Sequence, residues 1–518
     1  MAIVLIGFMG AGKSTAAREL ATALGREPAL DTDELLAQRF GHPVAEEFER
    51  SGEKAFRAAE EELVLDVLDK ARPEEVIALG GGSVLSERVR RALDGEATVL
   101  LDIDVDTAWE RVSANGAAPQ RPLAADRESF GRLHAERGPV YERLAAAVLG
   151  PLPRGAFAAI APSLTILNHL EGRARLLWAT AASGDYPVLI GEGLLREEGP
   201  RILESWPLDR AGSRAFVVTD GNVAERYAGR LGETAMTVTI NPGEQSKTLA
   251  SAQRVWTALA AAGMTRADHV LALGGGVVGD LAGFCAATYQ RGAPVVQVPS
   301  SLVAQVDSAY GGKTGIDLPA AKNYVGAYHQ PAGVLADPSV LATLPPAELA
   351  AGWVEVLKTA LIGGGDLWES VAAGAEPDAE TIFACVRTKL AIVAADERDS
   401  GPRQLLNLGH TVGHAIETAT GYARYRHGEA VGLGLLVALR LSGQDALREQ
   451  VRELLSARGL PVRLEGVTVE DVLAAVQRDK KRLGAEVPFV LLDGPGRVAY
   501  GRTVPEAEVR AAIEELPR

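Results

Sequence analysis

Short apolar runs alternate with amphipathic, charge-bearing stretches through the first 150 residues. "AIVLIG", "EVIALGGG" and "ATVLLDI" predict buried parallel strands, and the segments between them carry helical spacing. That rhythm predicts a three-layer α/β domain. "GPLPRG" at 150–155 breaks it, and "LTILNHLEGRARLLWATA" is expected as a helix. With the turn-forming "SGDYP" at 183–187, the pattern predicts a first domain over 1–172 and a linker over 173–184. A second α/β rhythm follows in "YPVLIG", "RAFVVTD", "TAMTVTI", "DHVLALGGG" and "APVVQVP", filling 185–340. Long helical patterns such as "PPAELAAGWVEVLKTALI" dominate 341–518, with a small hairpin expected at "EVPFVLLD" and "GRVAYG". No solenoid repeat is present; "ALGGG" recurs at 78–82 and 272–276 in unrelated surroundings and predicts two separate glycine turns.

At 518 residues the chain exceeds one core, and 47% hydrophobic with 23% charged residues is ordinary for globular protein. A net charge of −15 argues against general nucleic-acid binding. Cys285 and Cys385 cannot build a disulfide framework, have no CxxC spacing and are expected to be buried thiols. No apolar stretch approaches the ~18 residues of a membrane span. The opening "MAIVLIGFMG" lacks a basic flank and runs into "AGKST", as a buried strand does. These features predict a cytoplasmic enzyme of small molecules, without nucleic acid or membrane as partner.

"GFMGAGKST" at 7–15 fits G-x-x-x-x-G-K-[ST], between a buried strand and a helical pattern. Glycines let backbone N–H groups turn toward phosphate oxygens, and the helix adds its positive end. Lys13 would neutralise phosphate charge and Ser14 would hold Mg²⁺. A ligand-free glycine turn is the alternative. The residues around the loop resemble shikimate kinase over roughly 1–145: "DTD" at 31–33, "GEKAFRAAE" at 52–60, "GGG" at 80–82, "QRPLA" and "ERGPVYE". The resemblance implies an ATP and Mg²⁺ site of Gly10, Gly12, Lys13, Ser14, Thr15, Asp31 and the lid residue Arg121. It implies a shikimate site of Asp33, Arg57, Gly80, Gly81, Gly82 and Arg137, with Asp33 as candidate base. Two arginines suit a planar carboxylate, and an aspartate suits an attacking hydroxyl. Taken alone, Arg57 and Arg137 would be a solvated helix face.

"GGGVVGD" at 274–280 satisfies G-x-G-x-x-G through Gly274, Gly276 and Gly279, yet no acid lies about twenty residues on. By itself it is either a packing turn or a dinucleotide site of different construction. Its neighbours "PGEQSK", "PSSLVAQVDSAYGGKTGID", "AAKN", "AGWVEVLK", "LNLGHTVGHAIE" and "RHGEAV" resemble 3-dehydroquinate synthase over about 186–500. The resemblance implies NAD binding by Asp220, Glu244, Lys247, Gly276, Val277, Val278, Gly279, Asp280, Ser300, Ser301, Lys313 and Lys322. Serines stand at 300–301 where the family has threonines, and "NPGEQSK" lacks the family's aspartate before the glycine.

Three of the eight histidines, His410, His414 and His427, fall in one short span. Spacing alone pairs His410 with His414 as an HxxxH arrangement on one helix face. The resemblance implies instead that Glu355, His410 and His427 hold Zn²⁺ or Co²⁺, with His414 handling protons. It also implies substrate contacts from Asp307, Lys313, Asn323, Lys389, Arg403 and Lys480 (or the adjacent Lys481), with Lys358 and Asn407 completing the catalytic pocket. Arg291 matches a residue that reaches across a dimer interface, which implies a homodimer.

The two resemblances together predict an α/β chain: a P-loop kinase domain, then a Rossmann-like domain followed by a mostly helical metal-binding one. The implied synthase chemistry oxidises C5 of 3-deoxy-D-arabino-heptulosonate 7-phosphate, eliminates phosphate, returns the hydride and closes 3-dehydroquinate, regenerating NAD. Rival readings are a metal-dependent polyol dehydrogenase, another small-molecule kinase, and a first domain that only senses nucleotide.

Overall fold

The computed structural model describes residues 1–114, 126–153, 155–207, 212–319, 321–483 and 488–517, without the side chains of 197, 198, 200, 205 and 478–483. The chain divides into two compact units. One comprises Met1–Thr180, Tyr186–Gly191 and Ile202–Arg210; the other comprises Ala181–Asp185, Glu192–Arg201 and Ala211–Arg518. Among the described residues no helix is long and apolar enough to cross a membrane.

In the first unit, six strands run parallel in the order Leu30–Asp31, Val76–Ala78, Ile3–Ile6, Ala97–Leu101, Ala147–Leu149 and Arg175–Ala179. Every residue of Ile3–Ile6 and of Ala97–Leu101 is buried, as expected of strands covered on both faces. Tyr186–Ile190 then pairs antiparallel with Arg175–Ala179.

Two expectations are corrected here. The helix predicted over 164–181 ends at His169, because Glu171 and Gly172 take positive φ (50° and 78°) and stop it. "RLLWA" beyond them is a strand, and so is "YPVLI", so the region expected as a linker adds to the first sheet. Continuous apolar runs too short for a helix are satisfied by ladder pairing.

The second unit opens with a parallel sheet ordered Gly333–Ala336, Val295–Pro299, His269–Gly274, Ala215–Asp220 and Met236–Ile240. Helix Gly276–Thr288 follows the third of these and packs closely on the antiparallel hairpin Lys313–Leu318/Ala321–Tyr328: a Cβ on Gly283 would lie 2.4 Å from Thr314 Cγ2. Helices then take over from Pro346 until the hairpin Pro488–Gly494/Arg497–Thr503. Both cysteines are free and buried, and burial pushes the Cys285 thiol up to about 12.

Two helices set up the chemistry. Pro346–Gly363 starts with proline in its first turn, where a missing N–H costs nothing, and is buried from Ala351 to Ile362. Its sequence is apolar nearly all round, so Glu355 and Lys358 are carried into the core. His427–Leu441 is buried over almost its whole length. Glycines let the neighbours close in: a Cβ on Gly428 would lie 1.9 Å from Ala351 O, and one on Gly434 2.0 Å from Gly409 O. Gly428→Ala is therefore expected to destabilise this unit by about 1–3 kcal/mol through overpacking, measured as a lower urea midpoint. Gly432→Ala, whose nearest neighbour is the tip of Leu455 at 3.3 Å, is expected to be neutral or stabilising by up to about 1 kcal/mol.

Candidate functional site

The first unit holds a cleft of about 960 Å³ lined by the P-loop, Asp31, Asp33, Arg57, Gly81, Gly82 and Arg137. Its floor is the turn between strand Ile3–Ile6 and helix Lys13–Leu24, where Gly7, Gly10 and Gly12 take φ of 146°, 84° and 89°. Side chains are excluded there for a second reason: Cβ atoms on Gly7 and Gly10 would lie 2.7 Å from Leu101 O and 2.8 Å from Ala108 O. Lys13 Nζ folds back to donate to Gly7 O (2.9 Å) and Phe8 O (3.3 Å). No side chain caps the helix start, which leaves its amides facing the cleft beside Ser14 and Thr15. Asp31 caps helix Thr32–Phe40 by accepting from Asp33 N and Glu34 N.

The glycine turn at 80–82 is the opposite wall. A Cβ on Gly80 would lie 2.7 Å from both Asp33 Oδ1 and Glu60 Oε1, and one on Gly82 would lie 2.0 Å from Arg57 Nη1. Gly80 and Gly82 thus let one acid pair and one arginine rest on bare backbone. Arg57 Nη1 donates to Glu60 Oε2 (2.5 Å), and Arg137 Nη1 donates to Gly81 O (3.3 Å). Arg137 is buried, and the Nε atoms of Arg57 and Arg137 have no hydrogen-bond partner. Buried cationic donors left open in this way suit an anionic ligand. Arg121 lies outside the described residues.

In the second unit most residues matched to NAD follow the carboxyl ends of the parallel strands, while Lys313 and Lys322 lie on the hairpin Lys313–Leu318/Ala321–Tyr328. Asp220 caps helix Gly221–Tyr227. Gly276, Val277, Val278, Gly279 and Asp280 form the first turn and a half of Gly276–Thr288, and a Cβ on Gly279 would crowd Gln297 Oε1 at 2.9 Å. Ser300 N donates to Gly274 O (2.9 Å), and Ser301 Oγ lies 3.1 Å from where a Gly275 Cβ would be. Lys247 is buried and donates to Asp280 and Asn323; burial would lower its pKa, but Asp280 and Glu244 raise it. Burial raises the Glu244 carboxyl, and Lys322 Nζ stands 3.9 Å from it.

Of the charged residues matched to substrate, Lys389 and Arg403 are buried. Lys389 donates to Asp307 Oδ1 (2.5 Å). Burial would raise the Asp307 carboxyl, but Lys389 and Lys358 outweigh it and hold the group at about 2. Buried Arg403 donates to Glu397 O and to Gly311 O (2.8 Å), with its Nε unpartnered. The Glu397 carboxylate in turn receives Ser183 N (3.0 Å), the Ser183 hydroxyl and Gln330 Nε2 (3.0 Å). Lys313 is half exposed on Asp399 (2.5 Å), Arg291 is exposed, and Asn407 lines a small separate cavity with Gly409, Phe489 and Val490. The Lys480 and Lys481 side chains lie outside those described.

The histidines meet. Single ring nitrogens of His410, His414 and His427 lie within 4.8 Å of one another. Glu355, fully buried, places Oε1 3.7 Å from His410 Nε2 and 3.5 Å from His427 Nε2. Its Oε2 is 2.5 Å from Lys358 Nζ, yet neither carboxylate oxygen has an aligned hydrogen-bond donor. The other ring nitrogens are engaged: His410 Nδ1 with Leu408 O (3.2 Å) and His427 Nδ1 with Glu417 Oε2 (3.2 Å). Burial and the Lys358 charge push His410 down, toward the neutral imidazole that ligates metals. Burial would lower His427 as well, but Glu355 and Glu417 outweigh it and raise the ring to about 10. A carboxylate with two orphaned oxygens, facing two Nε2 atoms fixed from behind, fits a divalent cation.

Family models for the 3-dehydroquinate synthase N-terminal and C-terminal parts match residues 237–351 and 352–482. A 3-dehydroquinate synthase of Halorhodospira halophila is 43% identical over 359 residues, covering 66% of this chain and 100% of that protein. The chain belongs to the 3-dehydroquinate synthase family. A second synthase, from Caulobacter vibrioides, is 42% identical over 358 residues, covering 64% of this chain and 95% of its own. A shikimate kinase model matches residues 9–151, so the synthase is preceded by a shikimate kinase domain. Among solved structures, 2-epi-5-epi-valiolone synthase from Streptomyces hygroscopicus subsp. jinggangensis 5008, with NAD+ and Zn2+ bound, is similar with a TM-score of 0.58 and 26% identity. That likeness covers 65% of this chain and 98% of the other.

Sequence reasoning passed over Glu417, although residues 410, 414 and 417 share one helix face at i, i+4 and i+7. It also passed over Glu60, inside a motif quoted for Arg57, and Arg111, which donates to Gly10 O (3.3 Å) across the P-loop. Because His427 is raised to about 10, it carries a proton at pH 8 that an ion at Nε2 must displace. Calorimetric titration of the synthase with Zn²⁺ at pH 8, in buffers of different ionisation enthalpy, is expected to show release of about one proton per ion.

Proposed function

We propose that this chain is a bifunctional enzyme. It phosphorylates shikimate with ATP, and it converts 3-deoxy-D-arabino-heptulosonate 7-phosphate to 3-dehydroquinate and phosphate. The observation that carries the synthase reading is Glu355 with both oxygens unpartnered between His410 and His427. In the kinase domain it is the pair of open, buried arginine Nε atoms beside Asp33 in the P-loop cleft.

In the kinase domain, Arg57 and Arg137 hold the shikimate carboxylate on the glycine turn, and Asp33 orients the attacking hydroxyl and accepts its proton. Lys13 and the amides from Gly10 to Thr15 hold the transferred phosphate, with Arg121 closing over the nucleotide. Ser14 and Asp31 would hold Mg²⁺, which neutralises phosphate charge when bound.

In the synthase, Glu355, His410 and His427 would hold Zn²⁺ or Co²⁺. When bound, NAD would supply reversible hydride acceptance for C5 and the ion would supply polarisation of the oxygen on that carbon. Lys389 and Arg403 grip the substrate carboxylate, while Lys313, Asn323 and Lys480 hold the phosphate that leaves. His414, the most exposed of the three histidines, moves protons at the substrate, with Lys358, Asn407 and Asp307 fixing the pocket. Asp220, Glu244, Lys247, Lys322, Ser300, Ser301 and the turn from Gly276 to Asp280 hold the dinucleotide. The buried cations Lys389 and Arg403 favour an acid over a neutral polyol. The synthase part works as a homodimer with Arg291 at the shared boundary, and the protein acts in the cytoplasm. The kinase lies mainly in Met1–Thr180 and the synthase mainly in Ala211–Arg518.

Chelation tests the assignment. Metal-stripped enzyme is expected to release no phosphate from the heptulosonate, recovering with Zn²⁺ or Co²⁺, whereas shikimate phosphorylation returns with Mg²⁺ alone. Net NADH formation during turnover would point to a dehydrogenase instead. Gly82→Ala, which pushes Arg57 off the turn, is expected to raise KM for shikimate about tenfold or more, with synthase activity untouched.

A further inference from the structure

Glu417 has no part in the mechanism above, yet it is 3% exposed and both its oxygens are engaged. Oε2 meets His427 Nδ1 at 3.2 Å, and Oε1 meets Lys322 Nζ at 3.3 Å. His427 begins helix His427–Leu441, Lys322 lies on strand Ala321–Tyr328, and Glu417 stands on helix His410–Ala419 between them. Lys322 is further held by Glu244 at 3.9 Å and by the Tyr422 ring, 4.4 Å from its centroid.

We propose that Glu417 is a positioning residue that couples the metal site to the dinucleotide site by sharing one carboxylate between His427 and Lys322. The inference rests on the roles given above to those two residues. A buried carboxylate is drawn to whichever partner is more positive. A divalent ion that takes the proton's place at His427 Nε2 adds net positive charge beside the ring and draws the carboxylate toward it. Lys322 is then held less tightly by protein, and its ammonium is free to face the anionic oxygens of a dinucleotide. Linkage makes the effect reciprocal: a dinucleotide that occupies Lys322 returns Glu417 to His427 and makes the ring a better ligand.

The test uses the full chain, stripped of metal, with NAD⁺ and Zn²⁺ titrated separately and together by calorimetry and chelator competition. Saturating Zn²⁺ is expected to tighten NAD⁺ about fivefold or more, and NAD⁺ to tighten Zn²⁺ by the same factor. Glu417→Gln keeps the shape but loses the charge; it is expected to weaken Zn²⁺ about 10- to 100-fold and to bring the coupling factor within about twofold of one. Lys322→Met, which releases Glu417 to His427, is expected to tighten Zn²⁺ measured without NAD⁺ about fivefold while abolishing the coupling, a result that a merely structural Glu417 does not produce. Shikimate phosphorylation and the melting transition of each variant report that the chain is folded. Full coupling retained in either variant overturns the inference while leaving the proposed activity standing. A wild-type chain that binds neither Zn²⁺ nor NAD⁺ overturns both.

Discussion

A carboxylate with no access to water governs the larger unit. Glu355 sits in the middle of a helix buried from Ala351 to Ile362, where an isolated charge would cost several kcal/mol. Lys358, one turn on, supplies an opposite charge, but at 2.5 Å it is not aligned to satisfy either oxygen. The remaining demand for positive charge falls on the side facing His410 and His427. Burial would raise the carboxyl, yet the Lys358 charge outweighs it and holds the group well below the ordinary carboxylate range. The helix core thus creates an electrostatic deficit whose natural remedy is a cation on two neutral imidazoles.

The glycines at helix crossings follow from that requirement. His427 reaches Glu355 only because Gly428 lets its helix lie against the Ala351 carbonyl, and Gly434 lets it lie against Gly409, beside His410. The kinase domain uses the same device on another ligand class: Gly80 and Gly82 give Asp33, Glu60 and Arg57 room beside bare backbone. In both places the missing side chain positions a charged group as firmly as a contact would.

Much of this is legible in the sequence, for reasons that differ by residue. The P-loop announces itself because its backbone shape needs glycine at fixed spacing between a strand and a helix. Arg57 and Arg137 are unreadable singly; only the order of the surrounding motifs separates them from a solvated face. Histidine spacing points to His410 and His414, and the structure does bring their rings to 5.2 Å, but the approach of Glu355 and His427 comes from tertiary packing that no local period encodes. Glu417 was written on the same helix face and missed because a glutamate at i+7 is usually surface. The run 164–181 misleads because apolar continuity suits a helix or a buried strand equally, and a positive φ at Gly172 decides between them.

The path of the backbone carries a last implication. The chain passes from the first unit to the second at 181–185, returns at Tyr186–Gly191, leaves at Glu192–Arg201, returns at Ile202–Arg210 and leaves for good at Ala211. A gene split at residue 184 removes the antiparallel partner of Arg175–Ala179 from the first piece, and it removes Ser183, which holds Glu397 under Arg403, from the second.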